Sequence, residues 1–250
     1  MKLSAPIYQL KRQAKRLSRD EHLPLHAALN HIAKREGFEN WSLLSFRAGE
    51  QTISVSELYK RLEPGDLILV GARPGQGKTL LSLNLLIEAM RQGKRGLFFS
   101  LEYSLKDIAA RFKLLDVKME HYKELFSFDS SDDICADYII EKLMFQPRGS
   151  FAVVDYLQIL DQKRDKPELM LQINALKTFA SRNAMTILCI SQIDRAYDGD
   201  TKSCPDIIDV RLPNPLDLTL FNKACFLHNG EIRLRHHAKK ERPAKGGPFP

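Results

Sequence analysis

Gly71-Ala72-Arg73-Pro74-Gly75-Gln76-Gly77-Lys78-Thr79 is the stretch from which the rest of the chain is read. It follows Asp66-Leu67-Ile68-Leu69-Val70, a short apolar run of strand character. It opens a helical pattern, Lys78–Gln92, that ends at Gly93. A Gly-rich turn between a buried strand and a helix, closed by Gly-Lys-Thr, has the form of a phosphate loop. Glycines let successive backbone N–H groups turn inward as an anion nest, and the helix N-terminus adds about half a positive charge. Gly71 to Thr79 are therefore the candidate nucleotide-binding segment. Lys78 would reach the β- and γ-phosphates, and the Thr79 hydroxyl would hold Mg²⁺. Arg73 and Pro74 stiffen the start of the loop. The strict spacing wants glycine at position 72, where this chain has alanine, and Gly71 lies one residue earlier.

Downstream, short apolar runs alternate with helical patterns. Gly96–Leu101, Phe151–Val154 and Thr186–Ile190 read as strands, the last of them as the fourth. Ser104 with Asp107 three residues on makes a capping-box start for a helix to about Leu115. Ser131 opens another helix to about Phe145, and Leu169–Asn183 is a third. Ala224–Leu227 and Glu231–Arg235 flank His228-Asn229-Gly230, a hairpin turn. Strands spaced by helices predict an α/β fold, a mainly parallel sheet flanked by helices. In such sheets ligands sit at the carboxyl ends of strands. Three polar residues fall there. Asp155 follows Phe151–Val154 and suits Mg²⁺ held through water. Glu102 lies past Gly96–Leu101 and suits a base or orienter for an attacking water. Gln192 lies past Thr186–Ile190, where a neutral amide can sense the γ-phosphate and relay its loss.

Residues 1–50 have a different character. Ile7, Leu10, Ala14 and Leu17, then Leu25, Ala28, Leu29, Ile32 and Ala33, recur at helical spacing, and Trp41, Leu43, Leu44 and Phe46 follow. This predicts a small helical module over 1–50, ahead of a main domain at 51–238 and a basic flexible tail at 239–250. The charge is split accordingly. Residues 1–50 hold nine Lys/Arg against five Asp/Glu, and 231–250 hold six against two, while the chain as a whole is +7. Basic ends on a near-neutral body point to a polyanionic partner. The basic face Lys11, Arg12, Lys15, Arg16 and Arg19 is one place for it. Four cysteines without CxxC spacing exclude a dense disulfide scaffold and favour a reducing, cytoplasmic setting. No apolar run is long enough to predict a membrane span.

These segments together resemble the RecA-fold ATPase domain of DnaB-type replicative helicases. Gly71–Thr79 is similar to that family's GARPxxGKT loop. Phe98-Phe99-Ser100-Leu101-Glu102 resembles its FFSLE segment, whose Glu is the catalytic carboxylate. Val153-Val154-Asp155-Tyr156-Leu157-Gln158 resembles its IDYLQ metal motif. Leu176-Lys177 with Ala180, and Ser191-Gln192-Ile193-Asp194-Arg195, resemble its LKxLA helix and SQLNR segment. The resemblance implies a RecA-like phosphate-loop NTPase using ATP and Mg²⁺. It implies movement on single-stranded DNA in replication by a homo-oligomeric ring such as a hexamer, with replication proteins as further partners. It also implies a basic finger supplied in trans, for which Lys240-Glu241-Arg242 offers Lys240 and Arg242. Arg195, Lys202 and Arg211, in the loops after Thr186–Ile190, are the candidate DNA contacts.

Departures from the family are expected in three places. The module at 1–50 stands where the family has a large helical N-terminal domain. The chain stops about where the family adds a final strand or two. Pro205–Arg211 keeps only an echo of the DNA-facing region, with Pro213 and Pro215 after it. Two readings follow: a helicase-like motor, or a nucleotide-gated DNA-binding regulator or helicase-loading partner without unwinding activity. A small-molecule kinase would need a lid and an acceptor pocket, and no segment supplies them.

Overall fold

The structure is a computed structural model describing residues 3–50, 53–161, 167–194, 197, 204–212, 214–229 and 231–236. Four helices come first: α1 (Ile7–Asp20), α2 (Leu25–Arg35), α3 (Trp41–Glu50) and α4 (Val55–Lys60). Strands and helices then alternate through β1 (Leu67–Ala72), α5 (Lys78–Arg91), β2 (Gly96–Ser100), α6 (Leu105–Leu114) and β3 (Phe126–Asp129). The remainder is α7 (Ala136–Met144), β4 (Phe151–Asp155), α8 (Leu169–Asn183), β5 (Thr186–Gln192), β6 (Lys223–His228) and β7 (Glu231–His236). The seven strands form one sheet in the order β3-β2-β4-β5-β1-β6-β7. Every neighbouring pair is parallel except β6–β7.

The apolar runs dictate this arrangement. Every residue of β1, β2, β4 and β6 is buried, as a sheet covered on both faces requires. On one face, α5 and α6 contribute Leu83, Leu86 and Phe112 to a core with Phe98 and Val153. On the other, α7 and α8 contribute Ile139, Ile173 and Leu176 to a core with Val154 and Phe226. A third apolar cluster joins α1, α2 and α3 through Leu10, Ala28, Ile32, Trp41 and Leu44. α3 also faces the main core, where it places Phe46.

Several local expectations are corrected. The chain has a strand, β3, that its sequence did not announce. Phe126-Ser127-Phe128-Asp129 is only four residues long and half-buried at the sheet edge. Thr186–Gln192 is thus the fifth strand, two residues longer than expected, and Gln192 is its last residue instead of lying past it. Ser131 does not open a helix. Its N–H donates to Asp129 Oδ1 at 2.9 Å and its hydroxyl accepts from the Asp133 N–H at 3.1 Å, closing local turns that compete with the helix. The helix starts five residues later, at Ala136. His228 belongs to β6, and the turn begins at Asn229 in the left-handed region, φ 47°. The Ser104–Asp107 capping box is present, with each side chain bonding the other's backbone N–H.

β1 and β6 are tied at their starts by a buried ion pair. Lys223 Nζ bonds the Asp66 carboxylate, with side chains 4% and 7% exposed, and Glu63 lies 3.8 Å away. The Asp66 carboxylate also accepts from the Glu63 N–H at 2.8 Å. Removing one partner of such a pair strands the other's charge in the interior. Lys223→Met is expected to lower unfolding free energy by about 3–5 kcal/mol. The double variant Asp66→Leu/Lys223→Met should recover most of that loss in urea denaturation.

Candidate active site

The parallel sheet gathers the candidate residues at one edge. Ala72, at the end of β1, is in register with Gln192 on β5 and Leu227 on β6. Asp155, at the end of β4, is in register with Ser100 on β2 and Ile190 on β5. The loop leaving β1 then turns through Gly75 (φ 76°) and Gly77 (φ 84°), both in the left-handed region that disfavours side chains. Gly77 caps α5 and, having no side chain, supplies no cap bond to the first-turn N–H groups, which suits them to an incoming anion. Gly71 is demanded by packing instead: a Cβ there would lie 2.8 Å from the Phe226 ring.

Two loop residues are anchored to neighbouring strands. The Arg73 guanidinium donates to the Asp194 carbonyl at 2.9 Å, beyond the end of β5. The buried Gln76 accepts from the Asn229 N–H at 2.8 Å, beyond the end of β6. Pro74 is exposed between them. His228 lies next to this anchor, buried, with its ring edge-on to Tyr197 at 5.2 Å. Burial first, and the nearby Lys11 charge second, push its pKa down to about 4, so it stays uncharged.

Behind the loop, the Thr79 hydroxyl donates to Asp155 Oδ2 at 3.1 Å. Asp155 is fully buried, and its Oδ1 has no hydrogen-bond partner among the described residues. Burial pushes the Asp155 pKa up to about 7; the Lys78 charge pulls it down and the Glu102 charge adds to the rise. Lys78, Glu102 and Asp155 thus share one electrostatic neighbourhood. Glu102 is exposed just past β2, its N–H donating to Ser100 Oγ at 3.1 Å. An unpartnered carboxylate oxygen beside a hydroxyl is a hard-oxygen donor set of the kind Mg²⁺ takes. The left-handed glycines and the open helix end suit a polyphosphate. The residues therefore fit both groups. Among the described residues, no cluster of three or more His, Cys, Asp or Glu offers another metal site.

Sequence reasoning missed two neighbours of this pair. Arg111 on α6 lies over the Tyr103 ring at 3.8 Å, and its charge lowers the Asp155 pKa. Burial and the Asp155 charge raise the Tyr103 pKa, while a hydrogen bond with Thr79 lowers it. Tyr103 adjoins Glu102 in sequence, which was its only signal; Arg111 had none. Gln192 is half-buried, and its backbone carbonyl accepts from the Arg211 N–H at 2.8 Å. Gln158 Nε2 donates to the Arg211 carbonyl at 2.8 Å. The returning segment 205–212 is therefore held to the ends of β4 and β5, and the Arg211 side chain is exposed there. Arg195, Lys202, Lys240 and Arg242, like the tail at 239–250, lie outside the described residues.

The Asp155 shift has a pH signature. A carboxyl with pKa 3.8 in the unfolded chain and about 7 in the folded one holds its proton longer when folded. Its contribution to stability is therefore greatest below that lower value and declines as pH rises through the window. In metal-free protein, melting temperature should carry a downward slope between about pH 4 and pH 7 that Asp155→Asn removes. An identical pH profile for both proteins would contradict the burial argument.

Residues 51–135 match the model of the DnaB-like helicase C-terminal domain. The replicative DNA helicase DnaB of Helicobacter pylori (strain ATCC 700392 / 26695) is 26% identical over 193 residues, covering 63% of this chain and 39% of that protein. The replicative DNA helicase DnaB of Mycoplasma pneumoniae is 26% identical over 247 residues, covering 77% of this chain and 52% of that protein. The chain thus spans between two fifths and about half the length of these relatives. A solved ATPase domain shares the fold, with a TM-score of 0.53 at 18% identity over 67% of this chain and 70% of that one. Over residues 51–135 the chain is thus similar to the DnaB-like helicase C-terminal domain, and its mainly parallel sheet with flanking helices is a fold it shares with a solved ATPase domain.

Proposed function

We propose that the chain is a Mg²⁺-dependent ATPase of the DnaB-like helicase type, acting on single-stranded DNA in replication or related DNA metabolism. The observation that carries this reading is the buried Asp155 carboxylate. It bonds Thr79 through one oxygen and keeps the other unpartnered beside a loop of left-handed glycines. Gly71–Thr79 bind the phosphates through backbone N–H groups, and the Lys78 ammonium balances the charge of the β- and γ-phosphates. Thr79 and Asp155 hold the metal, which when bound neutralises charge shared between those phosphates. Glu102, exposed to water, orients the attacking water and accepts its proton. The Gln192 side-chain amide senses the γ-phosphate, and the backbone carbonyl of the same residue, bonded to the Arg211 N–H, gives that signal a route to the segment carrying Arg211.

Further roles rest on the resemblance. Lys240 and Arg242 act as a finger on the neighbouring subunit of a homo-oligomeric ring. Arg195, Lys202 and Arg211 contact the DNA backbone. Arg12, Lys15, Arg16 and Arg19 are exposed on α1, whose apolar residues Ile7, Leu10 and Ala14 are buried. That basic face offers a polyanion four exposed cationic side chains. Among the described residues no helix is long and apolar enough to cross a membrane. One observation favours the second reading, a nucleotide-gated regulator or helicase-loading partner: α1 to α3 lie outside the family match. A strand-displacement assay separates the two, since unwinding by the purified chain excludes the second.

ATP hydrolysis should require Mg²⁺ and rise on adding single-stranded DNA. Lys78→Ala should reduce turnover to background, and wild-type turnover by that variant would overturn the site. Glu102→Gln should retain ATP binding while hydrolysis drops by about 10²–10⁴-fold. Oligonucleotide affinity should fall steeply with salt if phosphates are the contact, and a flat salt dependence would contradict it.

A further inference from the structure

The phosphate loop has a neighbour that neither the motif nor the family match includes. Gly77 lies against α3: a Cβ there would stand 2.8 Å from Phe46 Cβ and 3.0 Å from the Ser42 carbonyl oxygen. At Gly75, Trp41 Cδ1 lies 3.5 Å from the corresponding position, in ordinary van der Waals contact. One helix from the N-terminal segment therefore rests on both left-handed glycines of the loop. It is held there on several sides. Phe46 is buried in the main core, and Trp41 and Leu44 in the cluster with α1 and α2. Arg47 pairs with Asp116 at 3.1 Å. Trp41 Nε1, bonded to the Cδ1 that faces Gly75, is buried with no hydrogen-bond partner among the described residues. Buried donors are rarely left so in folded proteins, and here the unpartnered group belongs to the ring that touches the loop.

Glycine-rich loops are costly to order because glycine has the most backbone freedom to lose. A loop confined by a rigid wall has lost part of that freedom before its ligand arrives, which strengthens binding. We infer that Phe46 and Trp41 are positioning residues for the nucleotide site. α3 forms a back wall that keeps Gly75–Gly77 in the anion-cradling turn. Occupancy of the loop by a nucleoside triphosphate is then energetically coupled to the seating of α3, and the coupling runs both ways. This inference rests on the reading of the loop as a nucleoside-triphosphate site.

Trp41 is the chain's only tryptophan, so its emission reports on this contact without labelling. The full chain is titrated with Mg²⁺ and a non-hydrolysable ATP analogue, following binding by calorimetry and Trp41 emission in parallel. Emission is expected to change along the calorimetric binding curve. Phe46→Ala is expected to raise the Kd about tenfold through loosened positioning, and Phe46→Leu to return it to within about twofold of wild type. Circular dichroism and urea midpoints without nucleotide establish that each variant is folded. Calorimetric binding with unchanged Trp41 emission would overturn the inference while leaving the nucleotide site intact. So would a folded Phe46→Ala that binds as tightly as wild type, or more tightly. If Phe46→Ala does not fold, the wild-type emission and Phe46→Leu decide. An absence of calorimetric binding by wild type would remove the nucleotide reading and this inference together.

Discussion

Two left-handed turns within three residues, at Gly75 and Gly77, constrain everything around them. A backbone bent this way exposes its N–H groups on one side and tolerates no Cβ on the other. It must start from an immobile strand and end in an immobile helix. β1 is buried along its whole length, and nearly every residue of α5 after Lys78 is buried too. Strand order does the rest. The chain leaves β1 through α5 and reappears at β2, with β4 and β5 between them in the sheet. The crevice at that change of direction is where open α/β sheets hold ligands. Asp155 reaches Thr79 across the end of β5, so a residue 76 positions away in sequence completes the site.

Burial gives the site its electrical character. A carboxylate with no solvent and one hydroxyl partner is poorly supported as an anion, which is why the Asp155 pKa moves up. Such a group is favoured as an anion only when a cation joins it, and Lys78 supplies part of that charge. His228 is the opposite case: burial near Lys11 and Arg73 keeps the imidazole neutral beside the loop's Gln76 anchor. The charge surplus at the N-terminal end of the chain lies instead on the outward face of α1. Like charges at four-residue spacing weaken an isolated helix by a few tenths of a kcal/mol per pair. The buried stripe Ile7, Leu10 and Ala14 holds α1 in place against that repulsion.

Most of the sheet and the loop were legible because their signals are local. The limits Leu169–Asn183 of α8 follow from periodicity, and the start of α6 from its capping box. Asp155 and Glu102 were legible because polar residues after apolar strands fall at the ligand edge. What stayed hidden depends on distant contacts. Gln76 is anchored by Asn229, 153 positions away, and nothing in either neighbourhood announces the partner. Arg111 stacks over Tyr103 from the second turn of α6, a contact that no motif announces. β3 was too short for its alternation to register, and Ser131 has the chemistry of a helix cap but spends it on turns. The seat of α3 on Gly77 was invisible for the same reason: glycines advertise a turn, not the neighbour that needs them bare.

α3 gives Trp41 to one apolar cluster and Phe46 to the other, so it cannot be assigned to either half of the chain. Loss of the segment ahead of residue 50, whether released after a protease cut or replaced at a recombination junction, would leave the nucleotide-binding fold with a vacancy the size of a phenyl ring beside its most sensitive turn. Opening such a hole typically costs about 3–5 kcal/mol. In evolutionary exchange of these segments, the junction of least damage lies ahead of Trp41. A donor module joined after α3 instead would have to bring its own bulky residue to the bare face of Gly77.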